Sequence, residues 1–219
     1  MIKIKNLLFM YEDKNVLNDL DLLVRPKERL VLLGSSGSGK STLLKLIAGF
    51  IAPDSGEIVI DLKIVSKEGS VIVPPHQRGI SMVFQDLALW PHMSVGENIA
   101  FGLKMHKVPI KERGEKVKAF LALVGLPGYE NKKTEALSGG EQQRVALARA
   151  LVLSPKVVLM DEPLSSLDED LNRRLRKEII DLQEKLGFTL VYVTHNREEA
   201  TEIASRIIKI QDGKIIEQR

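Results

Sequence analysis

Apolar and polar positions alternate over residues 2–9, ahead of Tyr11, and this period of two predicts a strand. Residues 17–24, with leucine at 17, 20, 22 and 23, predict a second. Pro26-Lys27-Glu28 reads as a turn into residues 30–33, four consecutive apolar positions that suit a buried strand. Residues 43–47 carry helical periodicity, and Pro53-Asp54-Ser55-Gly56 reads as the next turn. Residues 57–61 and 71–73 follow as short strands around the polar Lys67-Glu68-Gly69-Ser70. Pro74-Pro75 closes that region, and residues 80–84 form a further strand that ends on Gln85.

The pattern then changes period. Ser94-Val95-Gly96-Glu97 is a capping box that opens a helix through residues 98–103. A second helix is expected over 110–124, with Val117, Phe120, Leu121 and Val124 on one face. Residues 86–137 therefore read as a helical subdomain inserted into an α/β core made of residues 1–85 and 138–219. Helix is expected again over 141–153, buried strand over 157–160, and a long helix over 169–186. Leu171, Leu175, Ile179, Leu182 and Leu186 form that helix's core stripe, and Gly187 stops it. A strand over 189–193, a helix over 197–204 and a hairpin over 207–217, turning at Asp212-Gly213, complete the chain.

Composition narrows the class. The 219 residues suit one sizeable domain at roughly 100–200 residues per domain. With 32 basic and 29 acidic side chains the net charge is only +3, so charge alone does not argue for nucleic acid. The absence of cysteine excludes disulfides, thiolate metal sites and cysteine catalysis. No run approaches the ~18 apolar residues of a membrane span, and the start of the chain lacks the apolar core of a signal peptide. Any work at a membrane is expected from the water side, through a partner.

Chemistry enters at Gly34-Ser35-Ser36-Gly37-Ser38-Gly39-Lys40-Ser41, with Thr42 behind it. The run fits the phosphate-loop pattern G-x-x-x-x-G-K-[ST] in the strand–loop–helix context that the pattern requires. Glycines let successive N–H groups converge on an oxyanion, and the following helix adds the positive end of its dipole. Lys40 supplies a charge for the β- and γ-phosphates of a nucleoside triphosphate, and the Ser41 hydroxyl suits Mg²⁺. Residues 157–160 end in Asp161-Glu162, which reads as the second nucleotide motif. Asp161 would serve Mg²⁺, and Glu162 is placed to polarise a water for attack on the γ-phosphate. Leu137-Ser138-Gly139-Gly140-Glu141-Gln142 is a second small-residue run before a helix, hence a second anion-binding helix start. One triphosphate does not need two such loops, so this one serves a different nucleotide or the far side of the same one.

Residues 137–142 resemble the signature, usually LSGGQ, of the ATP-binding subunits of ABC transporters, and the similarity covers essentially the whole chain. Glu141 stands where that family most often has glutamine. The resemblance implies a P-loop NTPase (RecA-like) core, an antiparallel β subdomain and a helical signature subdomain. It implies further that Tyr11 stacks on adenine and that Gln85 contacts Mg²⁺ and the attacking water. Ser165-Ser166-Leu167-Asp168 resembles the loop that crosses to a second subunit, usually SALD, and His195 resembles the switch histidine at the γ-phosphate. In such subunits two copies associate head to tail, each ATP lying between one phosphate loop and the other copy's Ser138, Gly139 and Gly140. The implied activity is MgATP hydrolysis that drives transmembrane permease subunits from the cytoplasmic face of the membrane.

Residues 74–85 and 89–103 resemble importer subunits, which work with permeases and an extracytoplasmic binding protein; a regulatory domain beyond residue 219 is expected to be absent or cut away. An exporter or lipoprotein-extraction subunit is the alternative. Soluble relatives acting on DNA or ribosomes fit less well, because the chain has no coiled-coil insertion, no cysteine zinc site and one cassette only. A small-molecule kinase would leave residues 137–142 unexplained. Leu89, Trp90 and Met93 are apolar for a loop, so residues 88–93 are expected either to dock a permease helix or to tuck Trp90 into the subdomain core.

Overall fold

Leu30, Val157 and Leu190 lie in the three apolar runs expected to be buried, and these runs become neighbouring parallel strands. The structure is a computed structural model that describes residues 1–12 and 14–218. Arg29–Leu33 (β3) pairs with Thr189–Thr194 (β9), which pairs with Val157–Asp161 (β8). Ile80–Val83 (β7) adds in parallel on one side and Arg206–Gln211 (β10) on the other. Lys214–Gln218 (β11) closes the sheet antiparallel to β10, giving the order β11-β10-β3-β9-β8-β7.

Both faces of this sheet are covered, which is why its central strands read as continuous apolar runs. Val31, Val158, Met160, Leu190 and Tyr192 pack into one core with Val95–Met105 (α2), Ile110–Leu123 (α3), Gly139–Leu151 (α4) and Glu169–Leu186 (α5). The alternate residues Leu30, Leu32, Val157, Leu159, Val191 and Val193 pack into a second core with Lys40–Ala48 (α1). An antiparallel sheet covers α1 in turn: Ile2–Tyr11 (β1), Lys14–Val24 (β2), Ser55–Ile60 (β4), Lys63–Lys67 (β5) and Ser70–Val71 (β6), in the order β2-β1-β4-β5-β6. Arg197–Ile203 (α6) lies between β9 and β10 in the chain.

Several sequence expectations are corrected. The turn at Pro53 ends earlier, because Ser55 and Gly56 already belong to β4. β5 was not expected, and the strand placed at 71–73 is confined to Ser70–Val71. Leu186 does not complete the stripe of α5; it is exposed at the helix end, and the buried face includes Asn172, Arg176 and Gln183. The capping box read at Ser94 and Glu97 forms at α2, and a second one, not read from the sequence, forms between Ser138 and Glu141 at α4.

Candidate functional site

The carboxyl ends of β3, β8 and β9 point to one side, where a parallel sheet presents its ligand crevice. Residues 34–39 leave β3 and turn into α1. Gly39 sits at φ 100°, and a Cβ there would lie 2.7 Å from the Val16 carbonyl oxygen, so the position admits only glycine. Lys40, the first residue of α1, is 4% exposed. Its Nζ donates to the carbonyls of Gly34 (2.8 Å) and Ser35 (2.7 Å) and lies 3.4 Å from Ser38 Oγ. Among the described residues no carboxylate forms an ion pair with it. Burial pushes its pKa down, while Glu162 and Asp161 pull it up. A buried ammonium answered only by neutral oxygens fits an anion.

Asp161 ends β8 and is nearly buried. Ser41 Oγ donates to its Oδ1 at 2.8 Å. Burial raises the Asp161 carboxyl above its ordinary range, the Ser41 hydrogen bond opposes this, and Glu162 raises it further. Two hard oxygen donors side by side, one a desolvated carboxylate, fit Mg²⁺. Glu162 follows with φ 44°, a left-handed backbone that non-glycine residues seldom adopt and that gathers at functional sites. Its N–H donates to the Val193 carbonyl at 3.0 Å. Its Oε2 lies 2.9 Å from His195 Nδ1, just beyond β9; the glutamate is 16% exposed and the histidine 59%.

A cleft of about 650 Å³ collects Tyr11, residues 35–42, Gln85, Glu162 and His195. Gly34 lies at its base through Lys40. Tyr11 is 48% exposed and meets buried Phe9 edge-on at 4.9 Å, so its ring is presented to the cleft rather than to the core. Stacking on a base is worth on the order of 1 kcal/mol. Calorimetry should therefore show several-fold weaker ATP binding for Tyr11→Ala and little change for Tyr11→Phe; equal affinities would place the base elsewhere. Lys14, Asn15 and Val16 also line the cleft and were not singled out from sequence. Their approach follows from pairing of β2 with β1, which no local motif announces.

Ser138, Gly139, Gly140 and Asp168 do not line this cleft. Ser138 caps α4, with its N–H donating to Glu141 Oε2 at 2.8 Å. Tyr129 donates to Glu141 Oε1 at 2.7 Å; this bond first, then those from Ser138, holds the Glu141 carboxyl below the usual range. A Cβ on Gly139 would meet Leu167 Cδ2 at 3.2 Å, and one on Gly140 would meet Leu171 at 3.0 Å. The start of α4 thus packs on the loop that Asp168 ends by capping α5, its Oδ1 accepting from the Leu171 N–H at 3.0 Å.

Within the apolar loop of residues 88–93, Trp90 packs on the helical subdomain, the second of the two expectations. Leu89 packs against the core, and Trp90 lies 4.6 Å from Phe101 with the Arg149 guanidinium 5.2 Å over its ring. Asn98 holds the Trp90 backbone at both polar atoms, at 2.9 and 3.1 Å. A groove of about 990 Å³ runs between α2 and α3, where Met93 of this loop, Phe101 and Ile110 meet Glu97, Lys104 and Arg113.

Comparison with known proteins follows the same lines. The profile of a family described as ABC transporter matches residues 17–165. The spermidine/putrescine import ATP-binding protein PotA of Clostridium acetobutylicum is 46% identical over 215 residues, 98% of this chain and 60% of that protein. The Fe(3+) ions import ATP-binding protein FbpC of Pasteurella multocida is 46% identical over the same shares. The chain thus spans about 60% of the length of these curated relatives. Among solved structures, the dimeric post-hydrolysis state of an ATP-binding cassette bound to ADP and Pi matches with a TM-score of 0.87 and 32% identity, over 100% of this chain and 98% of that one.

Proposed function

The chain belongs to the ABC transporter family and has its P-loop NTPase fold, and from that premise we propose that it is the MgATP-hydrolysing subunit of an importer. The observation that supports this most is the convergence of Lys40, Ser41 and the Glu162–His195 pair in one cleft at the strand ends, with Asp161 bonded to Ser41.

On binding ATP, Lys40 exchanges the Gly34 and Ser35 carbonyls for the β- and γ-phosphates, and the N–H groups of residues 35–41 close round them. Ser41, Asp161 and Gln85 would hold Mg²⁺, which would supply positive charge against the phosphates. Tyr11 orients the base. Glu162 accepts the proton of the water that attacks the γ-phosphorus, while the bond to ADP breaks. His195 engages Oε2 of Glu162, and among the described residues no hydrogen bond engages Oε1, which leaves it for that water. His195, more than half exposed, can turn to the γ-phosphate. Ser138 and Gly140, remote from their own chain's cleft, complete that of a second copy arranged head to tail, with Asp168 crossing beside them. Closing on ATP and opening after hydrolysis then drive the permeases between two access states.

The PotA and FbpC relatives are equally identical to this chain yet are named for different cargoes, so we assign cargo choice to the permeases and an extracytoplasmic binding protein. The subunit works at the cytoplasmic face of the membrane, held there by permeases; residues 86–137 act as one helical unit, and no nucleic acid is required. The α2–α3 groove, with Ile110 80% exposed, is the proposed permease contact. The chain has no cysteine, so Phe101→Cys and Ile110→Cys provide single crosslinking sites. In membranes containing the assembled transporter each should crosslink to a cytoplasmic permease loop. No crosslink at either position would remove this contact.

A further inference from the structure

Behind the Glu162–His195 pair lies a buried polar cluster that the reaction as described does not use. Glu199, on α6, is a carboxylate only 4% exposed. Its Oε2 accepts from Thr194 Oγ1 at 2.8 Å and from the Tyr192 hydroxyl at 3.1 Å, and its Oε1 accepts from Asn172 Nδ2 at 2.9 Å. Among the described residues no cation pairs with it. Tyr192, fully buried, is held well above the ordinary phenol range by burial and by Glu199.

The three donors lead to the two segments that carry the site. Asn172 also donates to the Leu164 carbonyl at 3.1 Å, two residues beyond Glu162. Thr194 Oγ1 donates to Glu199 and accepts from the Asn196 N–H at 2.9 Å, a bond that closes a turn around His195. Asn196 caps α6 in turn, accepting from Glu198 N–H at 2.8 Å. Arg176, 0% exposed, ties α5 to α6 by pairing with Glu202 at 3.0 Å, and within α5 it pairs with Glu169 at 2.8 Å. Satisfying a buried carboxylate with neutral donors alone costs stability relative to a packed apolar side chain. What such a group adds is one required arrangement of its donors.

We propose that Glu199 is a positioning residue for ATP hydrolysis: through Asn172 and Thr194 it fixes, from behind, the backbone that carries Glu162 and His195. This rests on the ATPase reading of the cleft. A carboxylate serves because every neighbour is a donor. Glutamine has the same shape but turns an N–H toward at least one of them.

The test measures single-turnover phosphate release and MgATP affinity for the 219-residue chain, its Glu199→Gln and Thr194→Val variants, and each of these combined with His195→Ala. Displacing reacting groups by a fraction of an ångström to an ångström costs about ten- to a hundredfold in rate. Glu199→Gln and Thr194→Val should each slow hydrolysis by about tenfold or more and leave MgATP affinity within twofold. In the His195→Ala background Thr194→Val, which acts on the turn around His195, should slow it no further, whereas Glu199→Gln should still do so through Asn172 and the Glu162 segment. A rate per folded molecule equal to wild type overturns the proposal, and so does a Thr194→Val loss that multiplies with His195→Ala. If Glu199→Gln does not fold, Thr194→Val, an exchange of equal volume, carries the same criteria alone. A wild-type chain that splits no MgATP overturns the ATPase reading itself, whereas wild-type turnover with unaffected variants overturns only the role of Glu199.

Discussion

Lys40→Ala should abolish measurable MgATP hydrolysis while leaving the fold intact. Losing one preorganised donor to developing charge lowers turnover by about 10²–10³-fold, and here a full positive charge is lost as well. Stability should not fall. The Nζ of Lys40 is bonded to two backbone carbonyls of its own loop, and its pKa in the folded chain lies below the ordinary lysine value because of burial. A lysine depressed on folding works against the folded state at neutral pH, where it is charged in both states, and that penalty disappears only as the pH rises past its ordinary value. Alanine removes the penalty, so the thermal midpoint should hold or rise. Phosphate release, calorimetry with MgATP and a thermal melt check the three parts. Turnover like wild type in this variant would remove the loop from the mechanism.

Glu162→Gln separates binding from chemistry. The amide keeps the length of the side chain and can still accept from His195 Nδ1, but it cannot take a proton from water. Hydrolysis should slow by about 10²–10⁴-fold with MgATP affinity nearly unchanged, because Lys40, Ser41 and Asp161 are untouched. Position 162 at φ 44° tolerates the exchange as well as it does glutamate, so loss of fold is not expected. If the variant turns over normally, the base lies elsewhere.

What the sequence made legible is what has a local or periodic cause. Residues Leu30, Val158 and Leu190 announce buried strands because both faces of the parallel sheet are covered, so no polar position interrupts the run. Ser94, Ser138 and Gly187 mark helix ends through bonds to residues three or four away, and all three do so in the structure, where Asp168 also caps α5. The phosphate loop and Glu162 were readable because each directly follows an apolar strand, whereas His195 was reached through the family resemblance. β5 escaped notice for a physical reason: Lys63 and Lys67 flank it, and its turn from β4 is Asp61-Leu62, at φ 48° and 67° without the glycine that signals such turns. The sequence left two places open for Trp90 because its anchor is Asn98, whose side chain holds a backbone eight residues back. The Glu199 cluster was invisible for the same kind of reason. Its members at 164, 172, 192, 194 and 199 share no spacing, and only the packing of α5 and α6 on β9 joins them.

The central claim is that two chains share each ATP, one offering Lys40 and the other Ser138. Hydrolysis removes the γ-phosphate that bridges them, so blocking hydrolysis should make the pair last. Light scattering on Glu162→Gln with and without MgATP tests this most directly. The account predicts a monomer without nucleotide, a dimer holding two ATP with MgATP, and a return to monomer when Ser138→Arg is added, since the bulky cation enters the shared phosphate site. An inactive Glu162→Gln chain that binds MgATP yet stays monomeric at high protein concentration would contradict it.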